Sequence, residues 1–224
     1  MIEYKLTRSK RKTIGLYIKN GTLEVRVPTK CSQAEIDRLI TSKESWIISN
    51  LAKSKLREDA KNAFSLNYGD KILFRGNLHQ IIEKVGTKAG FDGEYFYLPK
   101  ELESSQIKEM CIKIYRQLAK IHITEKVLTY SKQMGITPAA IKINNAKTRW
   151  GSCSIRKSLN FSWRLIMADD GVIDYVVVHE LAHIFEMNHS HRFWAVVESV
   201  LPDYQERQAR LKMLQKRLAN EDWN

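Results

Sequence analysis

The chain predicts an α+β fold, with a smaller β-rich amino-terminal region containing a helical segment, residues 1–104, and a second domain, residues 105–224, built on a histidine-bearing helix. Three observations carry that prediction. Residues 13–27 and 71–98 alternate in period two around glycine turns, residues 105–134 switch to a helical stripe, and His179-Glu180-Leu181-Ala182-His183 follows an apolar helical stretch.

The elements follow in chain order. Residues 13–18 alternate, Asn20-Gly21 supplies a tight turn, and Leu23, Val25 and Val27 alternate again until Pro28. Ser32-Gln33-Ala34-Glu35 matches a capping box, with Ile36, Leu39 and Ile40 opening a helical face. Trp46, Ile47 and Leu51 predict a further turn or helix that ends before the polar stretch 53–62. Residues 71–75 and 78–82 read as a hairpin about Gly76-Asn77, and residues 94–98 as a third strand.

Beyond Ser105, Ile107, Cys111, Ile114, Leu118 and Ile121 make a helical stripe that continues to Met134, stopped by Gly135 and Pro138. Residues 140–144 and 159–166 read as strands flanking a turn-rich stretch, 150–158. Asp170 or Asp174 caps the histidine helix, which is expected to run to about Met187, and residues 204–218 form a closing amphipathic helix.

The histidine run carries the chemistry. Positions i and i+4 share one helical face, so His179 and His183 can grip one Zn²⁺ while Glu180 reaches a water on it. A third protein ligand leaves a fourth position open, as a catalytic zinc requires. Asn188 and Ser190 form turns that fold the chain back, which makes His189 the preferred third ligand; His191 and the more distant Glu198 and Glu206 are alternatives. The expected reaction is hydrolysis by a zinc-activated water, with Glu180 as general base. His191, Tyr204 and Arg149 are candidate donors to the developing oxyanion. The strand 159–166 is a candidate edge for an extended substrate, contacted by Asn160, Ser162 and Arg164. Trp150, Phe193 and Trp194 are read as packing around the site, and lone His79 and His122 as ordinary histidines.

Composition narrows the setting. No apolar stretch approaches the roughly twenty residues that cross a bilayer, and residues 1–5 lack the apolar run of a secretory signal, so a cytoplasmic protein without a membrane partner is expected. Cys31, Cys111 and Cys153 form no Cys-x-x-Cys pair, which excludes a thiolate zinc site. The net charge of +12 makes nucleic acid a possible partner beside a protein or peptide substrate. The cluster Arg8, Lys10, Arg11 and Lys12 reads as a solvated hairpin end or a phosphate contact. Nothing in the pattern sets the oligomeric state.

Residues 148–154, Leu159-Asn160, residues 174–183, Asn188-His189-Ser190 and Phe193-Trp194 together resemble the YgjP-like metallopeptidase family, similar to the wider SprT-like and WLM zinc-peptidase group. The resemblance covers nearly the whole chain. It implies a zincin-like catalytic domain in which His179, His183 and His189 hold zinc and Glu180 acts as acid and base. Competing readings are a DNA-associated SprT-like protease and a zinc hydrolase of a non-peptide amide or ester. An inert structural zinc has no use for Glu180.

Overall fold

In the computed structural model, which describes residues 2–19 and 21–223, the chain forms two compact units. One runs to Phe64 and includes Arg217–Asp222; the other spans Ser65–Lys216 with Trp223. The sequence texture changes at residue 104, but the strands before that point share a core with the helix after it. Tyr115 is fully buried, packs its ring 5.3 Å from that of Phe96 and donates its hydroxyl to the Leu73 carbonyl at 2.7 Å.

In the first unit, β1 (Tyr4–Ser9), β2 (Gly15–Lys19) and β3 (Thr22–Pro28) form a sheet in the order β1-β3-β2. β2 and β3 pair antiparallel with Leu16 opposite Val25, as the alternation predicts. The asparagine of the expected Asn20-Gly21 turn lies outside the described residues. Leu23, Val25 and Val27 point inward and are fully buried with Ile36 of α1 (Gln33–Ser42) and Ile47 of α2 (Glu44–Ala63). Both bonds of the Ser32–Glu35 capping box form. The polar stretch 53–62 continues α2, because lysine, arginine, glutamate and alanine hold a solvent-facing helix without an apolar stripe. Arg8 donates to the carbonyls of Thr29 and Cys31, a structural use of the early basic cluster.

The second unit opens with β4 (Lys71–Phe74), β5 (Asn77–Lys84), β6 (Gly90–Phe91) and β7 (Phe96–Pro99), in the order β4-β5-β7-β6. Phe74 pairs with Asn77, so the turn residues are Arg75-Gly76, one position earlier than expected. Both have positive φ, 46° and 81°, which suits a tight hairpin turn. α3 (Ser104–Met134) ends on left-handed Gly135. Its buried row runs through Ile107, Cys111, Tyr115, Ala119, Ile123 and Val127, while Ile121 is exposed. The expected stripe alternates spacings of four and three, whereas the buried row keeps four and so advances about 40° around the helix at each step, which leaves Ile121 outside it.

A second sheet follows, β8 (Ala140–Asn144), β9 (Gly151–Cys153) and β10 (Ser158–Ser162), in the order β8-β10-β9. β10 stops at Ser162, and residues Trp163–Met167 form a 3-10 helix instead of the expected continuing strand. Asn145 anchors this turn, accepting from Trp163 Nε1 at 2.8 Å and from the Arg164 guanidinium at 2.9 Å. All five residues are buried, and a run buried on every side has no period to tell strand from helix.

α4 (Asp170–Ala182) carries the histidine motif, followed by α5 (His191–Val200) and α6 (Tyr204–Leu218). Asp169 caps α4, accepting from Val172 N–H at 3.1 Å. The two aspartates expected as caps bind neighbours instead. Asp170 accepts from Arg75 and His122, and Asp174 pairs with Lys126 at 2.8 Å and Arg207 at 3.6 Å. The Arg75-Gly76 turn also donates its N–H groups to the Ile166 and Met167 carbonyls, so α4 is pinned at its start. Among the described residues no helix is long and apolar enough to cross a membrane.

Candidate metal centre

The last turn of α4 and the loop after it build the site. The helix ends at Ala182, earlier than expected, but His183 keeps helical angles as the cap, so the i, i+4 spacing from His179 survives. The chain then turns through residues 184–190. Ser190 caps α5, its hydroxyl accepting from Phe193 N–H, and its own N–H donates to the Asn188 carbonyl at 2.8 Å. That reversal returns His189 to the helix.

The three imidazoles converge. One ligand atom from each of His179, His183 and His189 lies within 4.8 Å of the others, and the ring centroids are 4.8–5.0 Å apart. Nε2 of His179 and Nε2 of His189 stand 3.1 Å apart. Two nitrogens on one tetrahedral zinc, each at about 2.0–2.1 Å, are about 3.3 Å apart. Phe193, fully buried, packs on all three rings at 4.6–4.9 Å, and Trp194 stacks on His189. The two aromatics thus pack around the imidazole rings, as the sequence reading expects.

Burial leaves the ring lone pairs of His179 and His183 free for a cation. Burial, with the two neighbouring imidazoles, pushes His179 down to about 3, and burial lowers His183 as well. Both are held neutral, the form that binds metal. His183 Nδ1 sits 3.2 Å from the Glu186 carbonyl, a contact that makes Nδ1 the donor and leaves Nε2 its lone pair for an ion. The buried Nδ1 of His179 has no hydrogen-bond partner among the described residues. Three imidazole nitrogens facing one another fit a divalent metal.

Glu180 lies next to this triad, 6% exposed. Burial raises its carboxyl to about 8, and the Arg149 charge acts in the opposite direction. A divalent cation beside it would lower it further. The strand β9 forms the opposing wall: a Cβ built on Gly151 would lie 2.6 Å from Glu180 Cγ and Oε1. A cleft of about 170 Å³ opens between Trp150 and Gly151 on one side and Tyr175, His179, Glu180 and Leu211 on the other.

The expected site residues divide accordingly. His179, Glu180, His183 and His189 come together. His191 is the exposed first residue of α5 and stands outside the triad. Arg149 acts on Glu180 by its charge, and Tyr204 stacks on Trp194 with ring centroids 5.2 Å apart. Asn160 sits on β10, which is central rather than an edge, so the open edge beside Glu180 belongs to β9. Glu198 and Glu206 are exposed and take no part in the triad. His79 packs among Phe74, Phe91 and Phe96, and His122 bonds Asp170, both structural. Sequence reasoning missed Gly151 and Tyr175. Gly151 stood inside a stretch read as turns, and Tyr175, one turn before His179, was lost in an apolar run.

The sequence profile described as the YgjP-like metallopeptidase domain matches residues 12–214. No curated protein matches the chain. Among solved structures it is similar to the crystal structure of the metallopeptidase zymogen of Pyrococcus abyssi abylysin, with 21% identity and a TM-score of 0.38, over 41% of this chain and 92% of that one. It is also similar to the metallopeptidase zymogen of Methanocaldococcus jannaschii jannalysin, with 24% identity and a TM-score of 0.37, over 42% of this chain and 95% of that one.

Proposed function

The chain belongs to the YgjP-like metallopeptidase family, and on that premise we propose that it is a zinc-dependent peptidase with His179, His183 and His189 as ligands and Glu180 as general base. One observation carries the reading: three imidazoles face a common point, and the Glu180 carboxylate beside them lies buried against the cleft. Zinc bound there supplies Lewis acidity and a water whose pKa falls toward about 7.

The chain's own groups do the rest. Glu180 accepts the proton of the attacking water and passes it to the departing amine, so one peptide bond and one water become a carboxylic acid and an amine. Gly151 keeps the carboxylate's approach clear, and the open edge of β9 offers main-chain hydrogen bonds to an extended substrate. Arg149 is the favoured cation for the developing oxyanion, since its charge already reaches Glu180. His191 and Tyr204 stand at the starts of α5 and α6, outside the lining of the cleft. The three free thiols suit a reducing compartment, and we place the activity in the cytoplasm.

The test is a chelator-sensitive assay on unfolded protein and peptide pools. Glu180→Gln should keep about one zinc per chain and lose at least about 10²-fold in kcat. Full turnover by that variant, with contaminating protease excluded, would remove Glu180 from its role.

A further inference from the structure

The sheet that carries β9 has a second open edge. Among the described residues β8 pairs only with β10, and a groove of about 670 Å³ lies between β8 and α3. Residues 141–145 line it consecutively, together with Arg116, Gln117, Lys120 and Thr124. A sheet face would present alternate residues, so an unbroken run marks a strand edge with its main chain available. Ile141 and Ile143 are half-buried along this run, while Arg116, Lys120 and Lys142 are exposed. No acidic side chain lines the groove.

The spacing selects the ligand's shape. Arg116, Lys120 and Thr124 recur every four residues on one face of α3, about 6 Å apart along the axis. Alternate residues of an extended strand are about 6.7 Å apart. Carboxylates at every second position of an added strand therefore meet Arg116 and Lys120 in turn. A nucleic-acid backbone would satisfy the cations but has no repeating N–H and C=O to offer the strand edge.

We propose that this groove docks an extended acidic segment of a partner protein, which adds a strand to β8 while its carboxylates meet Arg116, Lys120 and Lys142. The surface is separate from the metal centre, and its occupancy does not depend on hydrolysis. It gives the protein a means of holding a partner at a point other than the cleavage site.

Fluorescence anisotropy tests this with the full-length Glu180→Gln chain, so that cleavage of the probe cannot pass for release. The probes are a dye-labelled peptide alternating threonine and glutamate, two copies N-methylated on odd or on even residues, a threonine–lysine peptide, and a single-stranded oligonucleotide of equal charge. The threonine–glutamate peptide should bind. Its Kd should rise at least tenfold with Arg116→Glu/Lys120→Glu, with Lys142→Glu alone, and with one methylation phase but not the other. The threonine–lysine peptide should not bind. The proposal fails if the acidic peptide does not bind, if charge reversal leaves Kd unchanged, if both methylated probes bind like the parent, or if the oligonucleotide binds more tightly.

Discussion

Gly151→Ala separates the position of Glu180 from its chemistry. An alanine Cβ at 151 would fall 2.6 Å from Glu180 Cγ and Oε1 and 2.8 Å from Cδ, whereas ordinary contact begins at 3.4 Å. The carboxylate must therefore retreat by about 0.8 Å, the difference between those two distances. Gly151 has no positive φ, so the backbone accepts alanine and the contact is the whole perturbation. The atoms met belong to the flexible end of a side chain, which moves rather than unfolding the sheet. Displacing a reacting group by about 1 Å costs about 10²-fold in rate, or about 2.7 kcal/mol in the barrier. The three atoms nearest a Cβ at 151 all belong to Glu180. The expected result is about 10²-fold lower kcat on a quenched fluorescent peptide, with zinc content by mass spectrometry and the circular dichroism spectrum unchanged. An alanine variant within threefold of wild type would show that the close approach of β9 does not position the base. Loss of zinc would show that it supports the ligands instead.

Further outcomes follow from neighbouring features. His189→Ala should lower zinc content sharply while His191→Ala keeps it, because only the first joins the triad; equal zinc loss in both would reopen the third ligand. Asp170 is held at about 2, below its ordinary 3.8, by bonds from Arg75 and His122. A depressed carboxyl stabilises the fold above its unfolded pKa and loses that contribution as pH falls through the folded one. The excess urea midpoint of wild type over Asp170→Asn should thus be larger at pH 5 than at pH 3; a gap that does not shrink would count against this ion pair. Gly76→Ala combines a φ of 81° with a Cβ 2.8 Å from that of Asp169, the cap of α4. It should cost about 1–3 kcal/mol in urea unfolding, and an unmoved midpoint would mean that the turn does not anchor the helix.

The site was more legible than the fold around it, because its residues obey local rules. The i, i+4 spacing of His179 and His183 needs only a helical backbone, and His183 keeps helical angles even though α4 ends at Ala182. The turn propensity of Asn188 and Ser190 brings His189 back to the other two rings whether or not a helix follows, so the convergence does not depend on foreseeing α5. The strand 159–166 failed for the opposite reason. Trp163 and Arg164 in its second half are fixed by distant partners, Asn145 for both and the Trp223 carbonyl for the same guanidinium. No window around residue 163 contains those groups.

The two open edges of the β8-β10-β9 sheet show the same division at the level of function. Placing an extended substrate along the strand of Asn160 took the strand just before the histidine helix for an edge, yet β10 is paired on both sides, and its Leu159 and Phe161 are fully buried. The edges fall instead to β8 and β9. β9 is three residues long and holds Gly151 against Glu180, while β8 carries Lys142 outward beside Arg116 and Lys120. Short length and edge lysines are the usual defences of an unpaired strand against pairing at random. Here the same features leave one edge narrow enough to admit a main chain beside the base, and make the other selective for acidic strands.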